Sequence, residues 1–363
     1  MLLVVGLLAV YSASFAIGEL EYGDTNYFII RQAGAAVLGL ALLWFFMRLD
    51  YHFLRTASLL MMFLALVGLL AVLVPGVGLE RNGAHRWLSL GPLPPLQPSE
   101  FAKLAIIVYI AAWLASRRDN IKHFSMGFVP FTLMVGLIAS LVLLEPDMGT
   151  TIIIVLTTCT LFFVAGAPLS HLTLLMLGGG LISWALMTVT GHQPAFWAEQ
   201  DPGTFNLRMD LVNALDSGGA FGLGWGASRQ HFVAPGLHDT AIFASIGKEL
   251  GFAGIASTTL LFFLFVYRSL RVAVNATDRF GAYLAVGMLS WVAYQALINV
   301  GGVTYSTPMV TIALPFLSYG GSALVATLAA AGILLSISSR RAPTQAERSV
   351  PGKGSPLARP LLG

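Results

Sequence analysis

The chain has 363 residues, of which 56% are hydrophobic and only 10% are charged, and its mean hydropathy is +0.79. A soluble domain carries about 25% charged residues, so this composition excludes an ordinary cytosolic enzyme, a secreted disulfide scaffold and a disordered protein. The net charge of +3 does not indicate nucleic-acid binding. The single cysteine, Cys159, can form neither an intrachain disulfide nor a cysteine cluster for a metal.

Apolar runs near 20 residues in length recur from end to end, which is typical of an all-α polytopic membrane protein. The pattern predicts ten transmembrane helices, near residues 1–18, 26–47, 56–78, 101–116, 126–145, 149–167, 172–190, 241–267, 281–301 and 321–338. Residues 1–339 would then form one membrane domain, and residues 340–363 a disordered, basic tail.

The distribution of Lys and Arg predicts the orientation. One set of loops is rich in basic residues, whereas the opposite set holds only Arg81, Arg86, Arg208 and Arg229. The rich set comprises Arg48, Arg55, Arg117, Arg118, Lys122, Arg268, Arg271, Arg279, Arg340, Arg341, Arg348, Lys353 and Arg359. Because cytoplasmic loops carry the excess of basic residues, both termini are predicted to be cytoplasmic.

Two extracytoplasmic loops are long. Residues 79–100 contain Gly, Pro and Trp87, which suggests a structured lid. Residues 191–240, between the seventh and eighth helices, carry Trp197, Trp225 and several carboxylates. Long ordered loops are usually functional, so both are candidate parts of a site.

Glu100 and Lys103 stand out because ionisable groups within spans are costly. At a spacing of i, i+3 they share a helix face, which fits a local salt bridge at the membrane rim. Lys103 equally suits a contact with an anionic headgroup. Arg31 is interpreted as snorkelling to the outer surface, whereas Lys248 and Glu249, being adjacent, each need a separate partner or a polar cavity.

Glu145 and Asp147 flank Pro146, which ends the preceding helix. Asp147 then lies at the start of the sixth span, where N-capping is the ordinary role of an aspartate. Two carboxylates at a break between helices also suit a cation or sugar-hydroxyl site. The residue pattern favours N-capping over a ligand site.

The densest polar segment runs from residue 215 to residue 254. Its closely spaced glycines permit a close approach of backbone to a ligand, but no strand precedes them, so a dinucleotide fingerprint is not predicted. Asp239 is either an N-cap or a base at the outer leaflet, with Arg229 nearby. The seven histidines show no zinc-binding pattern.

Residues 297–321 interrupt the apolar pattern at membrane depth with polar residues and prolines. Irregular backbone is tolerated there only when it is buried or lines a cavity. Asn299, Ser318 and Tyr319 are therefore candidates to face a polar headgroup, and packing through small residues is the alternative.

With these segments in view, the chain resembles the SEDS family (shape, elongation, division and sporulation proteins), whose members include FtsW and RodA. The resemblance covers nearly the whole chain and rests on seven collinear motifs. They are VYSAS at 10–14, NGAHRWLSLG at 82–91, QPSEFAKL at 97–104, EPDMGT at 145–150, SGGAFGLG at 217–224, HDTAIFASIGKELGFAG at 238–254 and LPFLSYGGSAL at 314–324. The first and last look more like FtsW than RodA.

The resemblance implies a ten-span peptidoglycan glycosyltransferase of the bacterial cytoplasmic membrane, acting in cell division or cell shape. Such a protein polymerises lipid II and works with a class B penicillin-binding protein, here expected to pair through transmembrane helices. In this chemistry a carboxylate takes the proton of the acceptor sugar hydroxyl, and cations stabilise the undecaprenyl diphosphate leaving group. No cofactor is implied with certainty, although a divalent cation would fit.

The chain departs from the family pattern at the expected base. The family has Asp two residues after His, a position that Thr240 occupies here, and Thr cannot act as a base near neutral pH. Asp239 is the nearest carboxylate and is our predicted base, with Asp216 in reserve. Lys248 stands where the family usually has an acid. The predicted substrate contacts are Arg86, Lys103, Glu100, Arg229, Glu145, Asp147, Asn299, Ser318 and Tyr319.

Two other functions remain open. A lipid II flippase without bond chemistry would line a path through both leaflets with Arg31, Lys103 and Lys248, but most charges lie at the outer rim. A scaffold for a partner helix would use the apolar faces of the eighth and ninth spans and is compatible with the polymerase.

Overall fold

The computed structural model describes residues 1–81, 84–91, 93–117, 120–190, 212–213, 215–227, 242–304, 306 and 312–340. Within them the helices are α1 (Leu2–Tyr22), α2 (Tyr27–Arg48), α3 (His52–Val72), α4 (Pro98–Ser116), α5 (Val129–Leu144), α6 (Met148–Val164), α7 (Leu169–Thr190), α8 (Ile242–Val274), α9 (Arg279–Val303) and α10 (Gly321–Ser339). A 3₁₀ turn (Asn120–Lys122) and a π-helical turn (Phe124–Phe128) precede α5.

The chain is a polytopic helical membrane protein. Among the described residues, eight helices are long and apolar enough to cross a membrane, and the apolar stretches Met148–Val164 and Leu169–Ala185 are shorter. The predicted number of ten spans therefore stays a prediction. Most of the loop at 191–240 and nearly all of the tail at 340–363 lie outside the described residues.

The helix bundle has a centre and a periphery. Helices α4, α9 and α10 are mostly buried, whereas α2, α3 and α8 present most of their apolar residues outward. The closest helix pairs are α2 with α10, α3 with α4, and α8 with α9, and α9 also packs on α4 and α6. Because lipid tails are as apolar as leucine, these outward faces are expected in a membrane bundle.

Several predicted helix boundaries were wrong, and the largest difference is at α8, which ends at Val274 and not near residue 267. Helix α3 ends at Val72 and not near residue 78, because residues from Gly78 onward enter a β-strand. Helix α4 begins at Pro98, three residues before the predicted start, since proline is well suited to the first helical turn.

The loop at 79–100 is indeed structured, and it adds a small sheet to a fold predicted as all-α. Strands β1 (Gly78–Arg81), β2 (Ala84–Leu90) and β3 (Leu93–Leu96) form an antiparallel sheet in the order β1-β2-β3. The sheet packs against α3 and α4 and contacts α10. It thereby carries Arg86 and Trp87 to the ends of these helices that the sequence predicts to be extracytoplasmic.

Candidate functional site

Three helix N-termini meet at one end of the bundle, and Gln97 joins them. Gln97 is the N-cap of α4, and its backbone N–H donates to Ser322 Oγ, in the first turn of α10, at 3.0 Å. Its side-chain Nε2 donates to Oδ2 of Asp147, the N-cap of α6, at 3.4 Å. Helix N-termini carry partial positive charge. The carboxylates of Glu100 and Asp147 offset it at α4 and α6, whereas α10 has no acidic residue in its first turn.

The break between α5 and α6 is held by Arg86 of β2. Arg86 donates from Nε to the Glu145 carbonyl oxygen at 3.1 Å and from Nη2 to the Pro146 carbonyl oxygen. Asp147 caps α6 by accepting from the Thr150 backbone N–H at 3.1 Å, which agrees with its predicted structural role. The predicted contact of Arg86 with a diphosphate stays a prediction, since two of its donors bind backbone.

Glu145 is fully buried, and neither of its side-chain oxygens has a hydrogen-bond partner among the residues that the structure describes. Burial raises the pKa of this carboxyl to about 9, and the neighbouring Asp147 carboxylate also raises it. Glu145 is therefore protonated at neutral pH. A neutral carboxyl can donate a hydrogen bond to a sugar oxygen as well as accept one.

Glu100 and Lys103 form the predicted salt bridge, at 2.8 Å between Oε1 and Nζ, but it lies in the protein interior. Lys103 Nζ also donates to Gln295 Oε1 of α9 at 3.0 Å and lies 5.1 Å from the centroid of the Trp291 ring. Trp291 Nε1 donates to the same Gln295 oxygen at 2.6 Å. The ammonium thus joins α4 to α9, and its predicted contact with a headgroup stays untested.

The segment before α10 is fixed by side chains that bind its backbone. Asn299 Nδ2 donates to the Ile312 carbonyl at 2.6 Å, and Ser318 Oγ accepts from the Leu314 N–H at 2.8 Å. Both residues are buried, so these bonds support a structural role more than the predicted headgroup contact. Tyr319 packs edge-on against Phe28 and lines a cavity.

This cavity, of about 740 Å³, lies between α2, the sheet, α4 and α10. Its walls are mainly apolar, and they include Trp87, Phe101 and Leu38. Its polar end is formed by Gly320, Gly321 and Ser322, at the N-terminus of α10, together with Gln97 and Arg31. Helix α10 has no acidic residue in its first turn, and its N-cap, Gly320, has no side chain to cap it. Gln32 Oε1 accepts from the Gly320 N–H at 3.1 Å, and the partial positive charge of the following turn can act on a ligand.

Arg31 lies at the cavity with its guanidinium 4.0 Å from the centroid of the Tyr27 ring. The sequence favoured simple snorkelling for Arg31. Arg31 is exposed, which agrees with snorkelling. It also lines the cavity that the α10 N-terminus lines, where a cation would favour an anionic group.

The glycine-rich segment docks onto a break in α8. The backbone of Gly251 has φ 64° and ψ −159°, so the helix is interrupted there. The N–H groups of Leu223 and Gly224 donate to the carbonyls of Lys248 and Glu249, both at 3.0 Å. A Cβ on Gly222 would lie 2.0 Å from the Glu249 carbonyl oxygen, so only glycine fits at this contact.

Lys248 and Glu249 are both buried at this break. The sequence predicted that each would need a separate partner or a polar cavity. Ser12 Oγ of α1 donates to Glu249 Oε1 at 2.5 Å. Asp216, the reserve base, is exposed at the start of the glycine-rich segment. Asp239 and Arg229 lie outside the described residues, so their predicted roles stay predictions.

Several residues that shape this region were missed in the sequence. They are Gln32, Gln97, Trp291, Gln295, Ser322 and Ser12. Glutamine within an apolar helix is a usable signal, because a polar side chain at membrane depth needs a partner. Ser12 and Ser322 lie within two of the seven motifs, at 10–14 and 314–324, but serines in such segments do not indicate which side chain they contact.

Among the residues that the structure describes, no group of three or more His, Cys, Asp or Glu side chains is arranged to hold a metal ion. The expected divalent cation is therefore not supported by a ligand set in this part of the chain, and it stays an expectation.

The chain matches one known protein family over almost its whole length. The family model described as "Cell cycle protein", for FtsW, RodA and SpoVE, matches residues 1–342. The chain belongs to the SEDS family. Its match to the family covers every described element, including the sheet, the glycine-rich segment and α10.

Named SEDS relatives support this assignment. The chain is 39% identical to stage V sporulation protein E of Bacillus subtilis over 93% of its own length and 94% of that protein. It is 36% identical to a probable peptidoglycan glycosyltransferase FtsW of Trichlorobacter lovleyi, over 92% and 89% of the two chains.

Solved SEDS structures share the fold. The rod shape determining protein RodA of Thermus thermophilus matches with a TM-score of 0.67 and 26% identity, over 94% of this chain and 97% of that one. A second structure, described as structural coordination of polymerization and crosslinking by a peptidoglycan synthase complex, matches with a TM-score of 0.71 and 25% identity. This match covers 92% of this chain and 96% of that one.

Proposed function

We propose that this protein is a peptidoglycan glycosyltransferase that polymerises lipid II at the outer face of the bacterial cytoplasmic membrane. The observation that carries the proposal is the cavity beside α2, which is apolar along its walls and electropositive at the N-terminus of α10. A substrate with a polyprenyl tail and a diphosphate requires this combination. The names of the SEDS relatives support the same reaction class.

In the proposed reaction, the 4-hydroxyl oxygen of the acceptor sugar attacks the anomeric carbon of the donor. Asp239 takes the proton of that hydroxyl as the new bond forms. The bond from that carbon to the diphosphate breaks, and undecaprenyl diphosphate leaves with both electrons. A single displacement needs one base, unlike the paired carboxylates of glycosidases.

The leaving diphosphate gathers negative charge, which fixed cations and helix N-termini stabilise without proton transfer. In this proposal Arg31 and the first turn of α10 hold the diphosphate, and Arg229 adds a further contact. Arg86 and Lys103 act mainly by fixing the elements around the cavity, because their donors bind Glu145, Pro146, Glu100 and Gln295.

The test is polymerisation of labelled lipid II by the purified protein in liposomes, read as glycan strands on a gel. We expect Asp239→Asn to abolish the strands and Asp216→Asn to preserve them. The double variant Asp239→Thr/Thr240→Asp restores the family order and should polymerise. Full activity of Asp239→Asn would remove this residue from the mechanism, and loss of activity in Asp216→Asn alone would transfer the role to Asp216.

The same liposomes test the flippase alternative. Translocation of the lipid II headgroup that persists in Asp239→Asn, without strand formation by the parent protein, would favour transport over polymerisation. The buried polar groups at the junction of α4, α6 and α10 and at the α8 break favour the polymerase, since they lie towards one end of the bundle.

We further propose that the protein works with a crosslinking partner of the class B penicillin-binding type, which docks through a transmembrane helix. The related synthase complex combines polymerisation with crosslinking by its description. Outward apolar residues on α8 and α9, such as Phe263 and Leu297, offer a surface. Leu297→Trp should weaken co-purification of the partner, whereas Leu60→Trp on α3, equally outward, should not.

The predicted orientation, with both termini in the cytoplasm, can be tested separately. A phosphatase reporter fused after residue 363 should be inactive, and the same reporter placed in the extracytoplasmic loop should be active. An active C-terminal fusion would overturn the orientation.

A further inference from the structure

The glycine-rich segment presents three large apolar side chains outward. Phe221, Leu223 and Trp225 are 85%, 58% and 53% exposed, and they alternate with glycines. Gly218 and Gly222 lie against the carbonyls of Gly247 and Glu249, so these two glycines face α8. We call Phe221, Leu223 and Trp225 the apolar tip.

Backbone hydrogen bonds fix the segment that carries the apolar tip to α8. Besides the bonds from Leu223 and Gly224, the N–H groups of Phe252 and Ala253 donate to the carbonyls of Gly219 and Ala220 at 2.8 and 3.1 Å. Backbone bonds on both sides of the helix break thus fix the height of the tip along α8. The exposure of its side chains is therefore a property of the fold and not of a free loop.

The register of α8 places the tip at the outer membrane boundary. Arg268 and Arg271 near its C-terminal end mark the cytoplasmic side. The hydrocarbon core is spanned by about 20 helical residues, and counting that length back from Arg271 reaches Gly251. Phe252 is 70% exposed at this height, and Leu260 and Phe263 are also exposed further along α8.

We propose that the apolar tip, together with Phe252, inserts into the interfacial region of the outer leaflet and anchors the extracytoplasmic glycine-rich segment in the membrane. Tryptophan and other aromatic side chains favour this depth, because their rings are apolar while the region remains partly hydrated. An exposed patch of this kind in water would be costly. The proposal concerns the lipid surface and does not depend on the glycosyltransferase activity.

The test uses a spin label at residue 223. In a Cys159→Ala background, Leu223→Cys is labelled and the full chain is placed in nanodiscs of phosphatidylethanolamine and phosphatidylglycerol without any partner protein. Collisions of the label with oxygen, which concentrates in lipid, are compared with collisions with a water-soluble nickel chelate. Glu21→Cys, at the exposed end of α1, is the aqueous control, and Phe263→Cys is the control at mid-membrane depth.

We expect the label at residue 223 to favour oxygen over the nickel chelate, with a ratio between those of the two controls. A ratio equal to that of Glu21→Cys would overturn the proposal, because the tip would then be in water. Shielding from both reagents would also overturn it, because protein would then cover the tip.

A second readout serves if Leu223→Cys does not fold. Lipids brominated near the top of the acyl chain quench nearby tryptophans, so the parent protein should lose more fluorescence than Trp225→Phe. Equal fractional quenching of the two proteins would place Trp225 away from lipid and reject the anchor.

Discussion

Gln97 Nε2 lies 3.4 Å from Asp147 Oδ2, and this bond joins the N-caps of α4 and α6. The same Gln97 reaches α10 through its backbone N–H. One residue therefore holds together three helix ends, of which those of α4 and α10 line the cavity of the proposed diphosphate site. Its neutral side chain matters, because a second carboxylate here would oppose both Asp147 and an anionic ligand.

Gln97→Glu should lower the rate of glycan-strand formation at least about tenfold, since like charges placed together disfavour an anion by more than about 1.4 kcal/mol. Gln97→Met, which removes the bond without adding charge, should retain most of the activity. The measurement is polymerisation at several lipid II concentrations. An equal loss in both variants would contradict the electrostatic explanation.

Glu145→Gln should make stability less dependent on pH. The folded-state pKa of Glu145, about 9, lies above its ordinary value of 4.5, so the folded protein binds a proton that the unfolded chain releases between these values. This stability is present in full below pH 4.5 and is lost as pH rises towards 9. The thermal midpoint of Glu145→Gln should therefore match that of the parent at pH 5 and exceed it increasingly up to pH 9.

The control for Glu145 is Glu21→Gln, on an exposed carboxylate, which should leave the pH profile unchanged. If the thermal midpoints of the parent and of Glu145→Gln differ by the same amount at every pH, then Glu145 does not titrate in this range.

The buried Glu100–Lys103 pair should show strong coupling in a double-mutant cycle. Glu100→Gln or Lys103→Met alone leaves a buried charge unpaired and should cost about 3–5 kcal/mol. The double variant removes both charges and should cost less than the sum of the two. Thermal or denaturant unfolding in detergent measures all four proteins.

The exposed Asp50–Arg340 pair supplies the comparison for this cycle. Arg340→Ala should change stability by less than about 1 kcal/mol, because solvent screens the pair. Additive effects of Glu100→Gln and Lys103→Met would show that the two charges do not interact.

Gly222→Ala should detach the glycine-rich segment from α8, because its Cβ would lie 2.0 Å from the Glu249 carbonyl oxygen. We expect a loss above about 3 kcal/mol together with loss of polymerisation. Gly224 also has positive φ, at 93°, but an added Cβ there meets nothing within 4 Å. Gly224→Ala should therefore cost only the left-handed strain, about 1–2 kcal/mol, and similar losses in both would argue against the clash.

Tyr51 Oη donates to Asp278 Oδ1 at 2.5 Å and joins the turn before α3 to the N-cap of α9. Burial, and then the bond to Asp278, raises the pKa of Tyr51 to about 12. Tyr51→Phe should lower the free energy of unfolding by about 1.5 kcal/mol.

The matched control for Tyr51 is Tyr267→Phe, which removes an exposed hydroxyl that only accepts from Arg271. It should change stability by less than about 0.5 kcal/mol. A Tyr51→Phe variant as stable as this control would show that the Asp278 bond adds nothing to folding.

The sequence by itself determined which segments are apolar enough to span a membrane, since hydropathy acts locally along the chain. It also determined two local contacts, the Asp147 cap and the Glu100–Lys103 pair, because both follow from helix spacing of three residues. The seven motifs determined the SEDS family.

Only the tertiary structure decided which side chains meet across the bundle. Gln97 and Ser322 are 225 residues apart, and Ser12 and Glu249 are 237 apart. Such pairs depend on how helices pack, and apolar helix faces in lipid accept many packings with similar energy. The backbone and polar groups that need partners select among these packings, and their partners are visible only once the chain is folded.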